Sequence, residues 1–255
     1  FPHSTPVFYP GLNNSKCYRI PTIIKTTTNI LLAFSENRIS SCGDNGQQHD
    51  LVLRRSLDNG GHWGPLIMVK QGTVPCRNCP AAISNPNPVE MLMPDGSRRI
   101  LLHYDTMNNP THTQHGLDKQ LYSNDDGLSW MVEGNESTIV YPPNANNGGL
   151  IGPSVGIQSS SSGTVYFSVN SLGSHFLYWT HDFGKTYQSS NPIKQGLNEC
   201  SIAFVHKHRP NSDIVMNCRS SLYHKRAQLM WHANGTIKTN ITYPVGLDVD
   251  AQGQG

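Results

Sequence analysis

The chain has 255 residues, 14% of them charged and 36% hydrophobic, and 19 Lys and Arg against 17 Asp and Glu give a net charge of +2. That balance excludes both the basic footprint of a nucleic-acid binder and an acidic disordered tail, and no apolar run reaches the ~18 residues of a membrane-spanning helix. The rest is rich in Ser, Thr and Asn with 23 Gly and 17 Pro, a mixture that suits short strands and many turns in a soluble protein. A start at Phe1-Pro2-His3 without Met fits a processed chain. From the N-terminus, β-forming runs predict strands over residues 18–25, 30–36, 51–55 and 65–69, which make one four-stranded unit. Further strands are predicted over 99–104 and 119–122, then 164–169 and 176–179, and finally 201–205, 213–219 and 228–231. No window holds a convincing amphipathic helix.

Six cysteines and four glycosylation sequons, at Asn13, Asn135, Asn234 and Asn240, favour the secretory route. Cys76-Arg77-Asn78-Cys79 has neither a second such pair nor histidines at ligand spacing, so it reads as a small disulfide loop rather than a metal site. Cys200 and Cys218 flank two strand-like runs joined by residues 206–213. A hairpin there would bring the two cysteines within bridging reach, although six cysteines allow 15 pairings.

One octet recurs. Ser56 to Trp63, Ser123 to Trp130 and Thr180 to Tyr187 share Ser/Thr-x-Asp-x-Gly-x-x-aromatic, and each follows a strand-like run. The chemistry is that of a turn: Asp accepts backbone amides, Gly takes a positive φ, and the closing aromatic packs against a neighbouring strand. Asp58, Asp125 and Asp182 are therefore structural residues. Spacings of 67 and 57 residues exceed the ~40–50 of a minimal propeller blade, so the pattern implies a β-propeller with expanded loops, of which the chain supplies about four blades.

These octets, together with Tyr18-Arg19-Ile20-Pro21 near the start, resemble the sialidase (neuraminidase) family in its animal and bacterial form. The resemblance extends along the chain: the segments 31–38 and 51–56 look like the family's second strand and its strand into the first octet. Asn198-Glu199-Cys200 and Asn217-Cys218-Arg219 look like its Asn-Glu-x and Asn-Ala-Arg signatures. It implies an all-β, six-bladed propeller with residues 1–255 forming the N-terminal part of one catalytic domain. The implied activity is a secreted or lysosomal retaining exo-α-sialidase that needs no cofactor or metal. Its partners would be sialylated glycoproteins, glycolipids or oligosaccharides; a trans-sialidase and a non-catalytic sialic-acid-binding propeller are the alternatives.

The resemblance also distributes roles. A sialic acid carries an ionised carboxylate that calls for planar charged donors, and two of the family's three arginines fall on Arg19 and Arg219. Asp44, in the polar segment after Arg38, is the expected general acid, with Arg38 a substrate-side contact beside it. Asp50, at a strand start, is the rival acid and reads as a turn residue. Glu199 is the expected base for a tyrosine nucleophile, the family's exception to the two-carboxylate scheme. Arg226 and the ten tyrosines, Tyr141, Tyr223 and Tyr243 among them, have no matching context, so the third arginine and the tyrosine are expected beyond Gly255.

Overall fold

The computed structural model describes residues 5–44, 47–73, 80–108, 118–132, 150–171, 174–194, 196–220 and 226–245. These form four consecutive meanders. The first contains β1 (Cys17–Lys25), β2 (Leu31–Arg38), β3 (His49–Ser56) and β4 (Ile67–Lys70), and the second β5 (Pro80–Leu92), β6 (Arg98–Asn108) and β7 (Asp118–Ser123). In the third, β8 (Leu150–Ile151) and β9 (Ile157–Gln158) share one edge of β10 (Val165–Ser171). β11 (Ser174–Thr180) lies on its other side and carries β12 (Gln188–Ser189) and β13 (Ile193–Lys194). The fourth is β14 (Leu197–Phe204), β15 (Ile214–Ser220) and β16 (Ala227–Trp231). Pairing within each meander is antiparallel; one parallel bridge, His49 to Ala82, links the first two.

The meanders stack through three apolar cores, each shared by two neighbours. Leu32, Phe34, Leu51 and Leu53 meet Ile83, Ile100, Leu102 and Tyr104 of the second meander. Val89, Met91 and Leu101 then meet Val165, Phe167 and Tyr178 of the third, whose Tyr166, Leu177 and Trp179 in turn pack on Ile202, Met216 and Trp231 of the fourth. A middle sheet must therefore be apolar on both faces, and the near-continuous burial of β11 in the third meander is the local signature of that requirement.

Most expected strands appear within two residues of their predicted bounds. β6 runs four residues past its predicted end and β14 starts four before its own; the two-residue strands β8, β9, β12 and β13 and the longest strand, β5, had no predicted counterpart, β5 because Pro86, Pro88 and the asparagines around them read as loop. Cys200 and Cys218 are bonded across directly paired positions of β14 and β15, as the hairpin expectation required. A second disulfide, Cys17–Cys42, was not anticipated. Cys76, Cys79, Asn135, Tyr141 and Tyr223 lie outside the described residues.

The three octets adopt one geometry. In each, the first hydroxyl (Ser56, Ser123, Thr180) donates to an aspartate oxygen at 2.8, 2.7 and 2.8 Å and accepts the N–H of the glycine at 2.8, 2.8 and 2.9 Å. The same aspartate oxygen takes the N–H four residues on, from His62, Ser129 and Thr186. The second and third turns also press on the preceding meander. A Cβ on Gly127 would lie 2.6 Å from Leu53, and Gly184 accepts a hydrogen bond from Gln120 of β7. The closing aromatics likewise reach back: Trp130 meets Phe34 edge-on, and the Tyr187 hydroxyl contacts Gln120 and His103.

Candidate functional site

The octets close one end of the meanders, and the candidate charges gather at the other. Because β3 runs from His49 to the first octet at Ser56, a strand of eight residues separates the two ends by about 25 Å. At the charged end the first strands are irregular in a repeated way. Register shifts by one residue between Arg19 and Thr22 on β1, between Ser84 and Asn87 on β5, and between Leu197 and Cys200 on β14. Such bulges re-aim side chains out of the pleat. Ile20 and Asn85 sit inside two of them at φ 54° and 56°, each followed by proline, and Gly152-Pro153 after β8 repeats the pattern with Gly152 at φ 96°. A β-branched residue such as Ile20 at positive φ costs on the order of 1–3 kcal/mol, strain of a kind concentrated at functional sites.

Arg19, Arg38 and Asp44 form one cluster on the first meander. Arg19 Nη1 and Arg38 Nη1 each lie 2.7 Å from Asp44 Oδ1. Arg19 and Asp44 are open to solvent, 42% and 60% exposed, whereas Arg38 is 2% exposed. The Arg38 guanidinium is engaged on every side: Nε and Nη2 reach Glu36 Oε2 at 2.9 and 2.6 Å, and Nη1 also donates to the Cys42 carbonyl. Glu36, equally buried, accepts the Asn85 N–H on its other oxygen at 2.9 Å, and Asn85 Nδ2 donates to Asp105. A continuous polar chain therefore runs from exposed Asp44 through Arg38 and Glu36 into the second meander. Burial pushes the Glu36 carboxyl up, against the pull of Arg38. For Asp44, partial burial also pushes up, but the Arg38 hydrogen bond and the Arg38 and Arg19 charges prevail and hold it below the usual carboxylate range.

Two neighbours complete this cluster. His49, fully buried with Nδ1 3.9 Å from Glu36, is driven down to about 4 by burial and by the Arg38 charge, so it is neutral near pH 7. Asp50, expected as a turn residue, is instead a buried member of the β2–β3 ladder opposite Asn37; it accepts the Gly72 N–H at 2.8 Å and the Gln48 side chain at 2.9 Å, which ties the segment after β4 to β3.

Glu199 and Arg219 form a second cluster at the equivalent end of the fourth meander. Glu199 occupies the β14 bulge and its Oε2 lies 3.2 Å from Arg219 Nη1; the side chains are 19% and 31% exposed. His175 contacts the Asn198 carbonyl at 2.8 Å and Ser168 donates to the Cys200 carbonyl, so the third meander braces the bulge from both sides. Arg226, given no role from sequence, is buried beside this pair, with Nε 2.8 Å from Asn217 Oδ1. Its pKa is lowered by burial, with Glu199 opposing and Arg219 reinforcing the shift. Glu36, Asn85 and Arg226 are the site residues that sequence reasoning passed over. Ile-Pro, Asn-Pro and Gly-Pro recurring ahead of each octet would have flagged Asn85. Among the described residues no group of His, Cys, Asp and Glu is arranged to hold a metal ion.

Solved structures of known proteins share this architecture. The Hadza microbial sialidase Hz136 superposes with a TM-score of 0.76 at 22% identity, covering 94% of this chain. The fold is that of the sialidases. The NanB sialidase from Streptococcus pneumoniae aligns with a TM-score of 0.74 at 13% identity over 95% of the chain. The intramolecular trans-sialidase from Ruminococcus gnavus aligns at 0.76 and 13% over 94%. The chain spans about half the length of the first two, 49% and 54%, and 73% of the third. No family model matches the sequence.

Proposed function

We propose that the four meanders are blades of a six-bladed sialidase-type propeller and that the protein is a retaining exo-α-sialidase acting on terminal sialic acids of glycoconjugates. The observation that carries the reading is the convergence of Arg19 and Arg38 on one oxygen of solvent-open Asp44, at the bulged end of the first strand. Arg19 is the group free to turn: a substrate carboxylate, able to take two parallel charged bonds, replaces Asp44 as its partner. Arg219 supplies a second cation to that carboxylate. Arg38, expected from the sequence as a substrate contact, is 2% exposed and paired with Glu36, and in this reading it stays behind as the fixed support of Asp44.

In this mechanism the departure of Arg19 and the exclusion of water both raise the Asp44 pKa, so the acid becomes able to give its proton to the departing glycosidic oxygen. The anomeric carbon is attacked by a tyrosine oxygen while Glu199 takes the phenolic proton. Water then attacks the same carbon and gives its proton to the Asp44 carboxylate, the tyrosine leaves and recovers its proton from Glu199, and the sialic acid departs with its configuration retained. The tyrosine and the third arginine are assigned to no residue of this chain. No cofactor enters the scheme. A sugar hydroxyl in place of water gives the trans-sialidase outcome. Secretory routing belongs to the same reading, supported by exposed sequon asparagines at Asn13, Asn234 and Asn240.

Calorimetric titration with a 2,3-unsaturated sialic acid analogue tests the reading. Saturable binding is expected, weakened in a folded Arg19→Lys variant by ~1.5–3 kcal/mol for each charged hydrogen bond lost. No binding by the unaltered protein at millimolar analogue, or equal affinity in Arg19→Lys, refutes it.

A further inference from the structure

The two disulfides flank the two candidate ion pairs. Cys17 stands two residues before Arg19 and Cys42 two before Asp44, while Cys200 follows Glu199 and Cys218 precedes Arg219. Their mechanical roles differ. Cys200 and Cys218 are partners in an antiparallel ladder that continues through four more residue pairs toward Phe204, so backbone pairing already fixes their separation. Cys42 has no such support. The β2–β3 ladder ends at Arg38 opposite His49, and Asp44 is carried by the segment that follows.

Gln47 accepts the N–H groups of Ser40 and Ser41 and donates to the Ser41 and Gly43 carbonyls, but these bonds close the segment on itself. Among the described residues the outward connections include the Ile39 N–H to the Gln48 carbonyl, a His49 contact with the Gly43 backbone, Arg38 to the Cys42 carbonyl and Asp44, Arg19 to Asp44, and the Cys17–Cys42 bond, which is the covalent one. Cys17 and Arg19 lie two apart on β1, before its bulge, and so project to one side of the strand. The disulfide therefore runs alongside the Arg19–Asp44 ion pair as a covalent link between the same two elements.

From this arrangement we infer that the Cys17–Cys42 disulfide is a positioning device for Asp44, keeping its carboxylate on Arg38 when Arg19 changes partner. The inference deepens the sialidase reading and rests on it for its purpose, since substrate binding is the event that takes Arg19 away. The Arg19 ion pair is lost at the moment the acid is needed. The covalent link is indifferent to where Arg19 points.

Arg19→Ala imitates that event without any ligand, so the mechanical statement is tested separately from the sialidase reading. In full-length Arg19→Ala with the disulfide intact, the Asp44 carboxyl followed by carbon-13 NMR should still titrate below the ordinary aspartate value, held by Arg38. Amide exchange of residues 39–44 should stay near that of the unaltered chain. Adding Cys17→Ser and Cys42→Ser to Arg19→Ala should return the Asp44 titration to the ordinary value and speed exchange at 39–44 about tenfold or more. Adding Cys200→Ser and Cys218→Ser instead should do neither. The proposal is overturned if Arg19→Ala by itself frees Asp44, an arm that needs no cysteine variant to fold, or if Asp44 stays low without the Cys17–Cys42 link. A protein that passes these tests and binds no sialic acid analogue keeps the tether and loses the sialidase reading.

Discussion

Two turns of this protein are nearly the same object in different surroundings. Met93 to Ser97 and His232 to Thr236 share paired backbone bonds of 2.9 Å, a side chain (Asp95, Asn234) accepting from the closing Ser or Thr, and a glycine at φ 82° or 81°. Alanine at Gly96 or Gly235 therefore meets the same backbone penalty, about 1–2 kcal/mol for a left-handed residue with a Cβ. A Cβ on Gly96 has nothing within 4 Å, whereas one on Gly235 would lie 2.3 Å from Cη2 and 2.6 Å from Cζ3 of Trp179. That ring cannot slide away freely, because it is 7% exposed and its Nε1 donates to Gln188 at 3.0 Å. Overpacking of this kind adds ~1–3 kcal/mol. Gly235→Ala should thus melt roughly 2–12 °C below Gly96→Ala for a chain of this size, measured by circular dichroism. In a Trp179→Leu background the two substitutions should cost the same. Equal losses in the unaltered background would refute the claim that this turn is seated on β11.

Asp44→Asn should harm natural sialosides ~10²–10⁴-fold more than aryl sialosides, whose phenolate leaves unaided, while Asp50→Asn should shift stability and leave that ratio alone; equal losses on both substrates for Asp44→Asn would move the acid role elsewhere. Asp58, Asp125 and Asp182 all sit below the ordinary value, Asp58 at about 2 through the His62 N–H and side chain, so their contribution is present above about pH 4 and lost as pH falls toward 2. Replacing all three by Asn should flatten acid unfolding across that range, and an unchanged acid profile would argue against the turn role. Burial lowers His49 and His175 to about 4 and His103 to about 3. The unfolded chain then binds protons from pH 6.5 downward that the folded one refuses, so melting temperature should already fall between pH 7 and pH 5; a constant value there would contradict the burial of these rings.

The turns were legible because their chemistry is local: Ser, Asp and Gly within eight residues specify their own hydrogen bonds. Cys200–Cys218 was legible because a hairpin fixes who faces whom. Cys17–Cys42 was not, since it joins a strand to a segment outside any ladder and six cysteines leave many partners. β5 was missed for a related reason. Its prolines occupy a bulge and an edge, positions where a missing N–H costs nothing, and local propensity does not reveal that context. Glu36 looked like any strand residue; only the stacking of two meanders turns it into the link between Arg38 and Asn85. Arg19 and Asp44 were each singled out, but their pairing across 25 residues is a fact of register and could not be read from either alone.

The backward reach of the turns gives the molecule a direction. Gly127 settles on Leu53, Gly184 on Leu101 and Gln120, and Gly235 on Trp179, so every docking surface belongs to the meander that leaves the ribosome earlier. Each newly made unit meets a finished template, in the order in which synthesis at ~5–20 residues per second supplies them. Loss of the fourth meander uncovers Trp179 and leaves the seats of Gly127 and Gly184 intact, whereas loss of the first removes the floor beneath the second and leaves its aromatic Trp130 without Phe34. Stability in such an array accumulates by nearest-neighbour contacts, and here those contacts are polarised from the N-terminus toward the C-terminus.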